Sequence, residues 1–215
     1  MNKKILILDL DNTIYPVSSI GLELFEPLFQ LIEKNREFSG DIELIKKAIM
    51  RKPFQIVAEE YSFSEKLLKN GLEMLENTVC TMKMSTFEDY EEIRKMPYKK
   101  FLVTTGFTNM QQSKVKQLNI ENDFKEIHII DPQISNKTKK DVFRDIIERY
   151  DLKPEDILVI GDDPNSEIKA GNELGIDTIL YDKLNFNPKS HNIRITNFDK
   201  LQKILKKFTA NNDQS

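Results

Sequence analysis

The sequence contains little cysteine and no long apolar run. Cys80 is the single cysteine among 215 residues, so no internal disulfide can form, and because no His/Cys cluster surrounds it we expect no thiolate metal site. The apolar run at residues 5–8 ends at Asp9, far short of the about 20 residues that a membrane span needs. It is also too short for a signal-peptide core. We therefore expect a protein of the reducing cytoplasm that does not enter a membrane.

Neither sign of charge dominates the chain. It carries 32 Lys and Arg against 35 Asp and Glu, a net charge of −3 that is spread along the sequence. The sequence has no concentrated positive charge of the kind that attracts a phosphate backbone, so we expect no nucleic-acid partner. With 39% hydrophobic residues, seven Gly, eight Pro and no repeated unit, the composition excludes disordered, collagen-like and solenoid proteins. The length predicts one large domain, or one domain with a small insertion.

Short apolar runs that end in polar turn residues are typical of strands buried on both faces. Such runs occur at residues 5–8, 101–103, 127–130, 157–160 and 178–181, with a weaker one at 193–195. Segments with helical periodicity lie between them, at residues 109–118, 139–149, 166–174 and 198–207. This alternation predicts an α/β fold, namely a doubly wound parallel sheet with helices on both faces.

The alternation begins only after a long helical segment. Residues 16–85 contain no convincing strand and show the apolar spacing of amphipathic helices. Pro27 should kink or divide the first of these helices. We predict that the segment is a helical insertion into a sheet domain formed by residues 1–15 and 86–208. Residues 209–215 have no apolar face to bury and are expected to form a frayed tail.

Polar residues stand at the ends of several predicted strands. Asp9 and Asp11 end the first strand, Thr104 ends the second, Asp162 ends the fourth, and Lys137 precedes the helix after the third. In an open parallel sheet, ligands bind beyond the carboxyl ends of the strands. Asp9 and Asp11 are two residues apart, so they point the same way if the backbone stays extended. We therefore predict one functional site at this edge.

The acidic residues of this set suit Mg²⁺ and phosphoryl chemistry. Asp9, Asp11 and Asp162 offer hard oxygen ligands of the kind that Mg²⁺ prefers, and the absence of Cys or His among them disfavours zinc. Asp9 could attack phosphorus and form an aspartyl phosphate, while Asp11 could protonate the leaving oxygen and later activate water. The alternative interpretation is that Asp9 and Asp11 only belong to a turn or a helix cap.

Small polar residues near these acids are expected to contact the phosphoryl group. Thr104 can donate its hydroxyl to a phosphate oxygen, helped by backbone N–H groups in the turn formed by Thr105 and Gly106. A simpler interpretation is a turn that precedes the next helix. Together with Asn12, Thr105 and Gly106 complete the predicted set of substrate contacts.

The basic residues after the third strand are assigned different roles. Lys137 begins a cluster at a predicted helix start, where the helix dipole disfavours positive charge, so we expect an anion beside it. We predict that Lys137 neutralises the phosphoryl group and the nucleophile, whereas Lys139 and Lys140 are solvated. Asp163, next to Asp162, has a structural alternative as the N-cap of a helix opened by Pro164.

Taken in order, these motifs resemble those of the haloacid dehalogenase-like hydrolase superfamily, and the resemblance spans nearly the whole chain. Residues 9–13, Asp-Leu-Asp-Asn-Thr, resemble its first motif, which supplies the nucleophile and the acid/base. Residues 103–106 resemble the second motif, with Thr105 where many relatives have Asn. Lys137, six residues before Phe143, resembles the lysine of the third motif, although Thr138 replaces a frequent Pro.

The fourth motif and the metal ligands follow from the same resemblance. Residues 161–167 resemble the acidic fourth motif, in which Asp162 matches the metal ligand. Glu167 stands where the second acid is usually Asp, so that position of the metal site is open between Asp163 and Glu167. The resemblance implies Mg²⁺ as the cofactor, with the backbone carbonyl of Asp11 as a further ligand.

The resemblance also implies a reaction. An acid at the position of Asp11 is typical of the phosphatases and phosphomutases of the superfamily, whereas the dehalogenase and phosphonatase branches lack it. The insertion at residues 16–85 resembles the small helical cap that closes over the site and helps to select the substrate. Residues 9–16 are similar to the start of pyrimidine 5′-nucleotidase-like members, which implies a small phosphorylated metabolite such as a nucleoside monophosphate. The alternatives are a phosphomutase and a non-catalytic phospholigand-binding module.

Overall fold

The computed structural model of the protein describes residues 3, 5–201 and 203–205. The predicted frayed tail at residues 209–215, and the end of the helix predicted at residues 198–207, lie outside this range. Within it, no helix has both the length and the apolar character that crossing a membrane requires.

A six-stranded parallel sheet forms the centre of the described structure and confirms the predicted doubly wound α/β fold. Its strands are β1 (Ile5–Leu8), β2 (Lys99–Thr105), β3 (Glu126–Ile130), β4 (Ile157–Gly161), β5 (Asp177–Tyr181) and β6 (Arg194–Ile195). The spatial order is β3-β2-β1-β4-β5-β6, so the strand order reverses between β1 and β4. An open parallel sheet binds its ligands at such a reversal.

The central strand β1 shows how the apolar runs produce this sheet. All four residues of β1 are buried, and alternate residues belong to the two hydrophobic cores on opposite faces of the sheet. Side chains alternate between the faces of a strand, so a continuous apolar run is required to bury both. Leu8 aligns with Leu102 of β2 and with Ile160 of β4. The residues that follow these three strands therefore meet at one edge.

Five helices occupy residues 21–76 of the segment between β1 and β2. They are α1 (Gly21–Leu24), α2 (Glu26–Asn35), α3 (Ile42–Ile49), α4 (Phe54–Glu60) and α5 (Glu65–Glu76). The chain is divided at Phe25, and Pro27 lies in the first turn of α2, where its missing N–H loses no hydrogen bond. Gly71 allows α4 and α5 to approach closely, because a Cβ there would overlap the ring of Phe54. Buried side chains of these helices join one face of the sheet in a continuous core.

Four further helices accompany the sheet: α6 (Tyr90–Arg94), α7 (Thr108–Gln117), α8 (Lys139–Arg149) and α9 (Glu167–Glu173). The start of α8 is defined by a capping box. The Thr138 hydroxyl accepts from the backbone N–H of Asp141, and the Asp141 carboxylate accepts from the backbone N–H of Thr138. Lys139 is therefore the first residue of α8.

Candidate active site

A cavity of about 800 Å³ lies at the carboxyl ends of the strands. The residues that line it include Asp9, Thr104 and Asp162, which follow or end β1, β2 and β4, and residues 47–56 of the helical insertion. The cavity therefore lies between the sheet edge and the insertion. Its volume falls in the range of about 300–1,000 Å³ that is usual for small-molecule sites.

Three carboxylates and one ammonium group form what we call the acidic cluster, made of Asp9, Lys139, Asp162 and Glu167. Lys139 Nζ lies 2.6 Å from Asp9 Oδ1 and 2.7 Å from Glu167 Oε2. One oxygen from each of Asp9, Asp162 and Glu167 falls within 4.8 Å of the others. Asp9, Lys139 and Glu167 are buried, with 6%, 8% and 2% of their surfaces exposed. The cluster therefore carries more negative than positive charge out of water.

The excess of negative charge in the cluster shifts the pKa values of its residues. Burial, together with the charges of Glu167 and Asp11, raises the pKa of Asp9 to about 7 although Lys139 opposes the change. Burial and the charges of Glu167 and Asp9 raise the pKa of Asp162 well above its usual value. Burial alone would lower the pKa of Lys139, but Asp9 and Glu167 outweigh it and raise that pKa. A divalent cation would relieve the repulsion among these carboxylates.

Asp163 and Glu167, between which the second acidic position is open, lie in different surroundings. Glu167, the first residue of α9, packs against Gly161, where any Cβ would overlap its carboxyl group. Its Oε1 accepts from the backbone N–H of Asp163 at 2.8 Å. The Asp163 carboxylate instead accepts from the backbone N–H of Asn165, and α9 begins after Ser166. Glu167 thus joins the acidic cluster, whereas Asp163 closes a turn and does not cap the helix.

The structure corrects the assignment of the lysine. Lys137 is exposed and its backbone N–H donates to Ser135 Oγ at 3.1 Å, whereas Lys139 is buried against Asp9. The reason is the capping box, which starts α8 one residue after Thr138 and places the first helical side chain in the cluster. The lysine at the helix start that has anionic partners is thus Lys139, which contacts Asp9 and Glu167. Lys140 pairs with Glu173 at the surface.

Asp11 is held by a separate set of donors, which we call the Asp11 clamp and which contains Tyr15, Gln111 and Lys114. Lys114 Nζ lies 2.9 Å from Asp11 Oδ1, and the Tyr15 hydroxyl donates to the same oxygen. Gln111 Nε2 lies 2.9 Å from Asp11 Oδ2. The Asp11 carboxylate is not a member of the acidic cluster found among the described residues. Its predicted contribution to a metal site through the backbone carbonyl stays a prediction.

The clamp changes the acidity of Asp11 in the direction opposite to that of Asp9. Burial raises the pKa of Asp11, but the Lys114 charge and the hydrogen bonds from Tyr15, Lys114 and Gln111 outweigh burial and lower it. The pKa of Tyr15 rises well above its usual value because the phenol is buried beside Asp11. Asp11 is therefore held as a carboxylate, and Tyr15 as a neutral phenol.

The predicted phosphoryl contacts lie beside the clamp. Thr104 is buried, and its Oγ1 accepts from Gln111 Nε2 at 2.8 Å. Because this hydroxyl already accepts, its own hydrogen is free to donate into the cavity, which Thr105 and Gly106 also line. Asn12 lines the cavity too, but its Oδ1 accepts from the backbone N–H of Val17 at 3.1 Å. Asn12 thus secures the turn after β1, with φ at 57°.

Sequence reasoning missed Lys139 as a site residue and missed the three donors of the clamp. One signal for the clamp was present in α7, whose ten residues include few apolar ones, yet a helix over a sheet must bury a face. Gln111 and Lys114, three residues apart, occupy that buried face. Their partner across the sheet edge could not be identified from spacing alone.

The donor set fits Mg²⁺. The acidic cluster offers hard carboxylate oxygens from three residues, with no sulfur or imidazole, and it carries a charge excess that one dication would offset. Asp9, Asp162 and Glu167 are the residues that would hold the ion. Zinc is disfavoured by the same donor set, as the sequence predicts.

Comparison with known proteins agrees with these motifs. The sequence profile of the haloacid dehalogenase-like hydrolases matches residues 3–175. A glyceraldehyde 3-phosphate phosphatase of Methanopyrus kandleri is 24% identical in an alignment of length 195 that covers 82% of this chain and 82% of that protein. A second glyceraldehyde 3-phosphate phosphatase, from Pyrococcus furiosus, is 24% identical over 89 residues, covering 41% of this chain and 37% of that protein.

Solved structures show the same fold. The HAD-hydrolase YfnB from Bacillus subtilis, bound to magnesium, superposes with a TM-score of 0.65 at 18% identity, covering 95% of this chain and 99% of that chain. A HAD phosphatase from Thermococcus onnurineus superposes with a TM-score of 0.61 at 18% identity, covering 94% of this chain and 97% of that chain.

Proposed function

The chain belongs to the haloacid dehalogenase-like hydrolase family, and we propose that it is a Mg²⁺-dependent phosphomonoesterase that acts through an aspartyl phosphate. The acidic cluster carries this proposal, because a buried carboxylate at the end of β1 shares a single lysine with Glu167 and lies near Asp162. Such a group can serve as a nucleophile once a cation and a lysine balance the charge around it. Mg²⁺, when bound, would neutralise charge on the phosphoryl oxygens and on these carboxylates.

In the first half of the proposed reaction, a carboxylate oxygen of Asp9 attacks phosphorus, and the bond from phosphorus to the ester oxygen breaks. The substrate enters as the monoester monoanion and gives its proton to the ionised Asp11, which passes it to the leaving oxygen, so the alcohol departs neutral. Thr104 and the backbone N–H groups at Thr105 and Gly106 would hold phosphoryl oxygens. Lys139 stays on Asp9 Oδ1, which orients the nucleophile and offsets developing charge.

In the second half, water attacks the phosphorus of the aspartyl phosphate, and Asp11, now ionised, takes its proton. The bond from phosphorus to Asp9 breaks and inorganic phosphate leaves with the proton from Asp11, so both carboxylates are ionised again. Because its pKa is lowered, Asp11 is ionised at neutral pH and is able to accept this proton.

The substrate we propose is a small phosphorylated metabolite. Two classes have support: nucleoside monophosphates, from the resemblance of residues 9–16, and glyceraldehyde 3-phosphate, from the named activity of the relatives at 24% identity. We further propose that residues 16–85 act as a cap that selects between them, since residues 47–56 line the cavity. The catalytic domain would then consist of residues 1–15 and 86–208. With one buried cysteine, Cys80, we propose a cytoplasmic enzyme.

Phosphate release from a panel of monoesters tests the proposal. The panel contains glyceraldehyde 3-phosphate, nucleoside monophosphates and sugar phosphates, each assayed with Mg²⁺ and with a chelator. We expect release that requires Mg²⁺ and is lost in Asp9→Asn, with Asp163→Asn as the matched acidic control. Unchanged release from Asp9→Asn would disprove the mechanism. An isomerised product without free phosphate would indicate a mutase, and ligand binding without turnover would indicate a binding module.

A further inference from the structure

The Asp11 clamp consists of buried polar side chains gathered around one carboxylate. The Lys114 side chain is 4% exposed and Gln111 is 1% exposed. Burying a lysine is costly, and a buried ion pair is often no more stabilising than apolar residues of the same volume. Stability alone therefore does not account for placing Lys114 and Gln111 on the same carboxylate.

The orientation of Gln111 is determined by what surrounds it. Its Nε2 lies 2.9 Å from Asp11 Oδ2, 2.8 Å from Thr104 Oγ1 and 3.4 Å from the carbonyl oxygen of Thr105. A rotated amide would place its own oxygen against the carboxylate and the carbonyl. Gln111 Oε1 is buried and has no partner within the described residues, so this orientation persists at the cost of an unsatisfied acceptor.

Gly106 provides the room for this arrangement. A Cβ at Gly106 would lie 3.0 Å from Cγ of Gln111, and the backbone φ there is +154°, which disfavours other residues. Gln111 thus connects Asp11 to Thr104, and both of these residues line the same cavity.

We propose that Lys114 and Gln111 are positioning residues that fix the Asp11 carboxylate for proton transfer to the leaving oxygen and from water. The inference rests on the proposed role of Asp11 as the acid and base. Lys114 holds Oδ1 and Gln111 holds Oδ2, so the carboxylate plane is defined at both oxygens. Neither residue bonds to the phosphoryl group in this assignment; Lys114 acts through Asp11, and Gln111 acts through Asp11 while also donating to Thr104.

Steady-state kinetics of the full-length protein with Mg²⁺ test this assignment on the best substrate of the panel. Lys114→Met should lower kcat by about 100-fold, the usual cost of a small misplacement of a reacting group, and leave KM unchanged. Lys116→Met is the matched control, because Lys116 is an exposed lysine of the same helix, and it should keep full activity. Lys114→Arg should restore part of kcat.

A double-mutant cycle separates positioning from a general structural effect. Asp11→Asn should itself lower kcat, and adding Lys114→Met should then cause little further loss, since the lysine no longer has a carboxylate to hold. An equal loss from Lys114→Met in both backgrounds, or a rise in KM, overturns the inference.

Substitution of Gln111 tests the same inference if Lys114→Met does not fold. Gln111→Leu should lower kcat, and should lower it less in the Asp11→Asn background, where only its bond to Thr104 remains to be lost. Gln112→Leu, at an exposed neighbour, should not change kcat. Full activity of Gln111→Leu overturns the inference. If the wild-type protein releases no phosphate, the proposed function itself fails; if it is active but the cycle is additive, only the positioning role fails.

Discussion

Asp9 and Asp11 are two residues apart, yet the charges around them differ. The acidic cluster around Asp9 has an excess of negative charge, whereas the Asp11 clamp is balanced. In the cluster, Asp9 and Glu167 share Lys139 beside a third carboxylate, Asp162, and the pKa values of Asp9 and Asp162 are raised. In the clamp, one carboxylate has its own lysine and two neutral donors, and its pKa is lowered. The acidic cluster therefore has more carboxylates than cations, whereas the Asp11 clamp pairs one carboxylate with one lysine.

Strand order explains how one short segment serves both environments. On one side of β1 lies β4, which leads to Asp162 and, through α9, to Glu167. On the other side lies β2, which leads to Thr104 and, through α7, to Gln111 and Lys114. The reversal of strand order at β1 therefore brings acids to Asp9 and donors to Asp11.

Replacing each candidate lysine in turn should produce the largest effect on phosphate release. Lys139→Met removes the cation of the acidic cluster, and we expect phosphate release to fall by about 100- to 1,000-fold, as for other losses of a single electrostatic partner. Lys137→Met, at an exposed position, should retain wild-type rates. Rates of phosphate release with Mg²⁺ decide the matter. An inactive Lys137→Met beside an active Lys139→Met would restore the assignment made from the motif.

Because the carboxylates of the cluster outnumber its one lysine, Mg²⁺ should stabilise the folded protein. At a concentration of 100 times its Kd, a ligand specific for the folded state adds about 2.7 kcal/mol, and the melting temperature should rise accordingly. Glu167→Gln should reduce that rise, because it removes one of the three carboxylates of the cluster. Asp163→Asn should not, because Asp163 is engaged in a turn. A rise of equal size in Glu167→Gln and wild type would remove Glu167 from the metal site.

The contrast between Lys137 and Lys139 shows where sequence reasoning is sufficient. Apolar runs bury both faces of a strand, so the sheet, its strand ends and the positions of Asp9, Thr104 and Asp162 could be predicted from local pattern. Which lysine reaches Asp9 depends on the residue at which α8 begins. The capping box of Thr138 and Asp141 sets that start at Lys139. The clamp depends on side chains about 100 residues from Asp11 in sequence, and their contacts follow from packing that no spacing rule describes.

Breaking the Asp11 clamp should destabilise the folded protein even without Mg²⁺. Asp11→Asn leaves the buried Lys114 ammonium without its counter-charge, and because Asp11 is 29% exposed we expect a loss of about 1–3 kcal/mol, below the cost for a fully buried pair. Glu60→Gln, which breaks the exposed pair with Lys52, should cost less than about 1 kcal/mol. Urea unfolding in chelator measures both. Equal midpoints for Asp11→Asn and wild type would show that the clamp contributes nothing to stability.

Removing a carboxylate from the acidic cluster should instead stabilise the folded protein when Mg²⁺ is chelated. Burial and the charges of Glu167 and Asp9 raise the folded pKa of Asp162 above its ordinary value of 3.8. Above pH 3.8 the unfolded chain has released a proton that the folded protein still holds, so this group makes the wild type less stable as the pH rises toward the folded pKa.

Asp162→Asn lacks that penalty. In chelator its stability advantage over the wild type should be absent below pH 3.8 and grow as the pH rises to neutrality, whereas Asp163→Asn should show no such trend. With Mg²⁺ the order should reverse, because the variant has lost a ligand of the ion that stabilises the wild type. Urea midpoints measured across this pH range test the sign. An advantage that shrinks with rising pH in chelator would mean that Asp162 is already balanced by protein charges, and the contrast with the Asp11 clamp would not hold.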